Sequence, residues 1–178
     1  SNGKFINWYQ NGNIEVERNY IMGKDDGPWF FYLEDGSKIA EGNYKEGLED
    51  GVTITYFPGS GKDNVQTYKK GKKDGLWEWY FENGRLMKQE YYGEDKEEGE
   101  WKEWDENGTL LSVKSYLNGK SEGTWTYFHP NGQKRYEVTF VNGKSHGIAT
   151  WWDKTGKVEK QTTWENGVEV KSKEVPKF

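Results

Sequence analysis

A chain of 178 residues with 30 acidic and 25 basic side chains, formal net charge -5, is only 32% hydrophobic but 17% aromatic. That aromatic share excludes a disordered polymer, and the interspersed charges give no basic stripe for nucleic acid. No run approaches the ~18 apolar residues of a membrane helix, and zero cysteines exclude disulfides and thiol chemistry.

A unit of 24 residues repeats along the chain, marked by Gly27, Gly51, Gly75, Gly99, Gly123 and Gly147. An aromatic column keeps the same step through Tyr20, Tyr44, Tyr68, Tyr92, Tyr116, Phe140 and Trp164. The first copy carries Phe5, Trp8 and an Asn11-Gly12 turn signal; the second carries Trp29, Tyr32 and Asp35-Gly36. The third has Thr53 and Tyr56 and departs at Pro58-Gly59-Ser60-Gly61, with an extra residue before the glycine and one fewer after it. The fourth is the clearest, with Trp77, Tyr80 and Asn83-Gly84, yet it has Asp95 where other copies place a second-turn glycine (Gly71, Gly119, Gly143). The fifth and sixth repeat the pattern at Trp101, Trp104, Asn107-Gly108 and at Trp125, Phe128, Asn131-Gly132. The last weakens to Ala149, Thr162 and Thr163. The array therefore covers 5–170, and 171–178 leave the pattern as a polar tail, a cap or a frayed end.

Two aromatic-rich runs joined by Asn-Gly predict a β-hairpin, and glycine at this density argues against helix. The turn is either a two-residue type I′ or a type I turn closed by a left-handed glycine and a bulge. His129-Pro130-Asn131-Gly132 favours the bulged form, because proline pre-sets φ at the second turn position. In that register Tyr80 pairs with Leu86, Tyr92 shares the face of Tyr80, and Trp77 points to the other face. The fold expected is all-β: an elongated, twisted antiparallel β-meander of about seven 24-residue hairpin repeats, held copy to copy by aromatic ladders.

Candidate chemistry is sparse. Gly119-Lys120-Ser121 and Gly143-Lys144-Ser145 end like a phosphate-binding loop, but Lys114 and Val138 occupy the place of its first glycine. His129 and His146 lie at different phases without a partner at ligand spacing, so no metal site is expected. The carboxylates Asp26, Asp50, Asp74, Glu98 and Glu122 form a column before the repeat glycine, which reads as turn support, with a weak cation-binding stripe as the alternative. No catalytic residue and no cofactor are expected. The Trp79 column varies (Asn7, Phe31, Thr55, Trp79, Glu103, Tyr127, Trp151), as a face free of packing demands would. Phe31, Trp77, Trp79, Trp101, Trp125, Tyr127 and Trp151 are therefore the candidate partner-binding aromatic strip.

The string Gly-x-Trp-x-x-Tyr-x-x-Asn-Gly, followed by Tyr-x-x-Gly-Lys-x-x-Gly, resembles the second type of MORN repeat. Gly75–Gly84, Gly99–Gly108 and Tyr116–Gly123 carry it best. Bacterial arrays of this kind are similar to the YwqK family, assigned as antitoxins of toxin–antitoxin systems. The resemblance implies a non-enzymatic module with a protein partner and no catalytic residue to carry over. The alternative expectation is an envelope or membrane-surface module for glycan or lipid headgroups, since exposed Trp stacks on sugars and covers quaternary ammonium groups. Homo-oligomers through free sheet edges are a further expectation. The chain begins Ser1-Asn2, so the compartment stays open: cytoplasmic for an antitoxin, envelope or secreted where a signal peptide has been removed.

Overall fold

The computed structural model describes residues 2–174, with strands joined by turns and short irregular segments and no helix among them. The chain divides into two compact units, one of residues 1–86 with 92–95 and the other of 87–91 with 96–178. Unit one contains β1 (Gly3–Trp8), β2 (Ile14–Ile21), β3 (Lys24–Asp25), β4 (Gly27–Tyr32), β5 (Lys38–Lys45), β6 (Leu48–Glu49), β7 (Gly51–Tyr56), β8 (Lys62–Lys69), β9 (Lys72–Lys73) and β10 (Gly75–Tyr80). Strand β11 (Leu86–Gly93) contributes to both units. Unit two continues with β12 (Lys96–Trp104), β13 (Leu110–Leu117), β14 (Lys120–Ser121), β15 (Gly123–Phe128), β16 (Lys134–Val141), β17 (Lys144–Trp152), β18 (Val158–Glu165) and β19 (Val168–Glu174). Within each unit successive strands pair antiparallel, so the fold is the expected all-β meander of hairpin repeats. Residues 171–174, expected to begin the polar tail, are the paired end of β19, with Lys160 opposite Glu174. The rest of that tail lies outside the described residues.

Each hairpin turn is the bulged form. In the first copy Gly12 N donates to Tyr9 O and Tyr9 N to Asn13 O, with Gly12 at φ +88°. The third copy closes the same loop, Phe57 N to Gly61 O, with positive φ at Gly59. Pro58-Gly59 thus changes the turn to a type II pattern without lengthening the loop.

The expected faces need correction. The register runs Gly27↔Tyr44, Trp29↔Gly42 and Phe31↔Ala40, then jumps to Tyr32↔Lys38, so Ile39 is a second bulge. The same jump passes over Glu15, Asp63, Leu111, Arg135 and Glu159 in other copies. One extra residue flips every later side chain. Tyr32 therefore does pair six residues on, as predicted for Tyr80, but the Tyr92 column shares a face with the Trp77 column: Trp77 and Tyr92 rings lie 5.4 Å apart. Trp77 and Tyr92 define a ring face, and the Tyr80 column lies opposite with its hydroxyls on carboxylates, Tyr80 on Glu78 at 2.8 Å and Tyr56 on Glu41.

The register also explains the repeat glycine. It sits across from the aromatic column (Gly51↔Tyr68, Gly99↔Tyr116, Gly123↔Phe140) and has φ from +66° at Gly99 to +114° at Gly75. Only glycine holds that backbone cheaply, and the facing ring covers the bare position.

Hairpins join through two-residue turns with positive φ at both positions, the type I′ geometry, such as Lys70-Gly71 at 52° and 76°. These turns brace the preceding repeat. Gly47 N donates to Asp25 O, Gly71 N to Glu49 O and Gly119 N to Glu97 O. The carboxylate column completes the bracing: Asp26, Asp50, Glu98 and Glu122 accept the N–H groups of Glu46, Lys70, Asn118 and Asn142 at 2.8–3.1 Å. The column supports turns, as expected, but the turn it supports belongs to the next repeat. The first αL position is Asn118, Asn142 and Asn166 in unit two but Met22, Glu46 and Lys70 in unit one. A left-handed non-glycine residue costs about 1–2 kcal/mol and Asn less. Lys70→Asn is therefore expected to stabilise unit one by about 0.5–1 kcal/mol, read as a higher urea midpoint at unchanged slope.

Candidate functional site

The ring face is built from two aromatic positions on each first strand and one on each second strand. In unit one Trp29 and Trp77 are its floor, 7% and 4% exposed. Trp77 contacts Tyr68 at 5.2 Å, Trp79 at 5.8 Å and Tyr92 at 5.4 Å, donates Nε1 to Thr67 O at 3.0 Å, and lies under Lys73 Nζ at 4.2 Å. Of the candidate strip in this unit, Phe31 and Trp79 remain partly exposed, whereas Trp77 is core. The second bulge turns Trp77 onto the face its neighbours cover. Phe31 packs on Trp29 at 5.4 Å and carries Arg18 over its ring at 5.3 Å.

In unit two Trp101 and Trp125 repeat the Trp77 arrangement, with Nε1 donated to Tyr91 O and Ser115 O at 3.0 and 2.9 Å. Their rings alternate with the column residues: Trp101–Tyr116 4.7 Å, Tyr116–Trp125 5.1 Å, Trp125–Phe140 4.6 Å. Both are half-buried. Tyr127 and Trp151 are joined through Tyr136, which lies 5.9 Å from Tyr127 and 4.5 Å from Trp151. Sequence reasoning missed Tyr136. The signal is a spacing of nine, because a residue of the Trp79 column faces the residue nine positions on: Phe31↔Ala40, Tyr127↔Tyr136, Trp151↔Lys160.

Polar groups interrupt the ring face of unit two beside Trp101. Lys88, Glu90, Lys102, Glu103, Ser112 and Lys114 line a recess of about 10 Å³ there. Its charges compensate one another: Lys88 to Glu90 at 2.6 Å, Lys114 to Glu103 at 3.7 Å, Ser112 Oγ to Glu103 at 3.0 Å. A recess that size holds about one water and no organic ligand.

Burial is the first cause that pushes Tyr68 and Tyr116 up to about 12, with nearby Glu49 and Glu97 next; Tyr56 and Tyr80 rise equally, by burial and then their Glu41 and Glu78 hydrogen bonds. The fold holds these phenols neutral. Stability is thus fully present below the ordinary value of 10.0 and falls as pH rises from 10 toward 12. Melting temperature should decline across that window together with growth of tyrosinate absorbance; a melting temperature flat to pH 12 would contradict it.

The remaining motifs are structural. Gly119 and Gly143 spend their N–H groups on Glu97 O and Ser121 O, leaving no phosphate cradle. A ring nitrogen of His129 meets Trp152 O at 2.8 Å. Among the described residues no group of three His, Cys, Asp or Glu is placed to hold a metal ion.

Seriated hairpins that brace one another and expose half-buried rings define a repeat scaffold. The family described as MORN repeat variant matches residues 1–22, 25–46, 73–93, 97–118, 121–142 and 145–166, and the chain belongs to it. The unmatched stretch between 46 and 73 holds the third copy, with its Thr53 and Pro58-Gly59. No curated protein matches the chain.

Proposed function

We propose that this MORN-repeat array is a non-enzymatic interaction module that binds a protein partner on its ring face, the role of an antitoxin toward its toxin. The observation that carries the reading is the partly exposed aromatic rings left over once each copy's floor is packed: Phe31 and Trp79 in unit one, Tyr127, Tyr136 and Trp151 in unit two. Rigid aromatic side chains of this kind dominate protein interfaces. Affinity purification from the native cell should recover a stoichiometric protein, lost with Trp151→Ala or Trp79→Ala. Recovery of no such protein sinks the reading. The antitoxin role adds that the captured protein arrests growth when expressed alone and not when co-expressed with this chain.

A second reading, an anionic membrane or envelope surface, is favoured by the type I′ turn edge. In unit one exposed Ile21, Met22 (86% exposed) and Leu48 alternate there with Lys24, Lys45, Lys69, Lys70 and Lys72. In unit two Leu117, Val141 and Val168 alternate with Lys120 and Lys144. Aliphatic tips flanked by lysines suit anionic headgroups. Sedimentation with phosphatidylglycerol vesicles, and not with phosphatidylcholine vesicles, is the expected result; equal or no sedimentation removes it.

A further inference from the structure

We infer that the ring face of unit two takes an acidic segment of the partner, with carboxylates at both ends of an apolar middle, lying across the strands. The inference rests on the protein-partner reading and names the chemistry of that partner. The register sets Ser112↔Tyr127, Tyr127↔Tyr136, Tyr136↔Trp151 and Trp151↔Lys160 in one row, so five adjacent strands each present one side chain. The three rings lie nearly parallel to their neighbours, 27° between Tyr127 and Tyr136 and 31° between Tyr136 and Trp151. Cations stand over the two outer rings of the row, which the register continues past Lys160 to Glu174. Lys114 and Arg135 stand over Tyr127 at 5.7 and 6.0 Å, and Lys160 stands over Trp151 at 5.2 Å.

Arg135 is the bulge residue of its hairpin, and the bulge aims its guanidinium over the ring. Lys114 shares Glu103 at 3.7 Å. Among the described residues Arg135 has no carboxylate within ion-pair distance, and Lys160 faces Glu174 across its strand pair without an ion pair to it, in a chain where acids outnumber bases 30 to 25. A cation held on an aromatic face keeps outward N–H donors, and a carboxylate is the group that completes them. The rings between offer apolar surface with no charge to satisfy. A basic segment would be repelled at both ends, and a neutral glycan would leave the cations without a role.

The length follows from the strands. The cations stand over Tyr127 and Trp151, two spacings of about 4.8 Å apart, so the cationic ends lie about 10 Å from each other, the span of about three extended residues. The probe is therefore a synthetic peptide with Asp-Glu pairs flanking a Leu/Ser/Phe middle of that length, added to the full chain and followed by anisotropy. It should bind, and its Asn-Gln counterpart should bind at least about tenfold more weakly. The double variant Arg135→Gln, Lys160→Gln should lose about the same factor at an unchanged melting temperature. Equal binding of the acidic and amide peptides, no binding of either, or tighter binding of a Lys-flanked peptide overturns the inference. Native capture separates it from the reading beneath. A partner held equally by the wild type and the double variant sinks the acidic segment and leaves the protein-partner reading standing. An empty capture with the wild type sinks that reading, and the inference with it.

Discussion

Trp77→Ala is expected to cost unit one about 3–5 kcal/mol, whereas Trp79→Ala, two residues away on the same face, costs about 1 kcal/mol or less in the free protein. The contrast follows from what each ring touches. Trp77 is 4% exposed, meets three rings and donates its indole N–H to Thr67 O. Truncation opens a cavity between neighbouring hairpins and strands the Thr67 carbonyl with only the Asp74 N–H. Trp79 is partly exposed. Among the described residues the buried apolar side chains are Trp29, Trp77, Val138 and Ala149, so no larger core compensates, and a repeat held by its neighbour in unit one passes the loss on to it. Urea unfolding followed by far-ultraviolet dichroism measures it. Trp77→Phe should recover most of the loss and fall short by about 1 kcal/mol for the hydrogen bond. A loss below 1 kcal/mol for Trp77→Ala would mean that the ring face is surface throughout.

That contrast marks where the sequence ceased to be legible. The 24-residue step, the hairpin and the type I turn with its glycine are written in residues that recur, because each copy needs the same φ at Gly12, Gly36 or Gly84. The second bulge is not written. Its residue is Glu15, Ile39, Asp63, Leu111, Arg135 or Glu159, with no shared size, charge or polarity. A bulge needs an unpaired backbone group and not a particular side chain, so the one-residue flip that buries Trp77 beside Tyr92 left no pattern to read. The candidate strip was accordingly half legible: Phe31, Trp79, Tyr127 and Trp151 stood out because their column varies. Tyr136 and the cations Arg135 and Lys160 become neighbours only through the register. The bracing of each type I′ turn by the preceding repeat was invisible for a related reason. Asp50 and Lys70 are twenty apart, and the bond between them uses a backbone N–H that any residue supplies.

Gly42→Ala is the companion result, expected to destabilise unit one by about 2–3 kcal/mol although it adds one methyl to a strand and usually such a change helps. Gly42 faces Trp29 across the hairpin, and a Cβ there would stand 2.6 Å from Trp29 Cζ2 and 2.7 Å from Thr53 Oγ1. Its φ is not left-handed, so the obstacle is space and not backbone strain. Trp29 lies over the bare backbone of Gly42 and reaches the buried Thr53, which stands where the Trp column would put another indole. One ring thus fills the room of three strands, and the third copy's departure from the pattern becomes the complement of the second copy's Trp. The coupling is testable. If the methyl acts through the ring, Trp29→Leu will cost distinctly less in the Gly42→Ala background than in the wild type, with an interaction of about 1 kcal/mol or more. Strict additivity of the two losses would refute the shared-space account, because two residues that compete for one volume cannot fail independently.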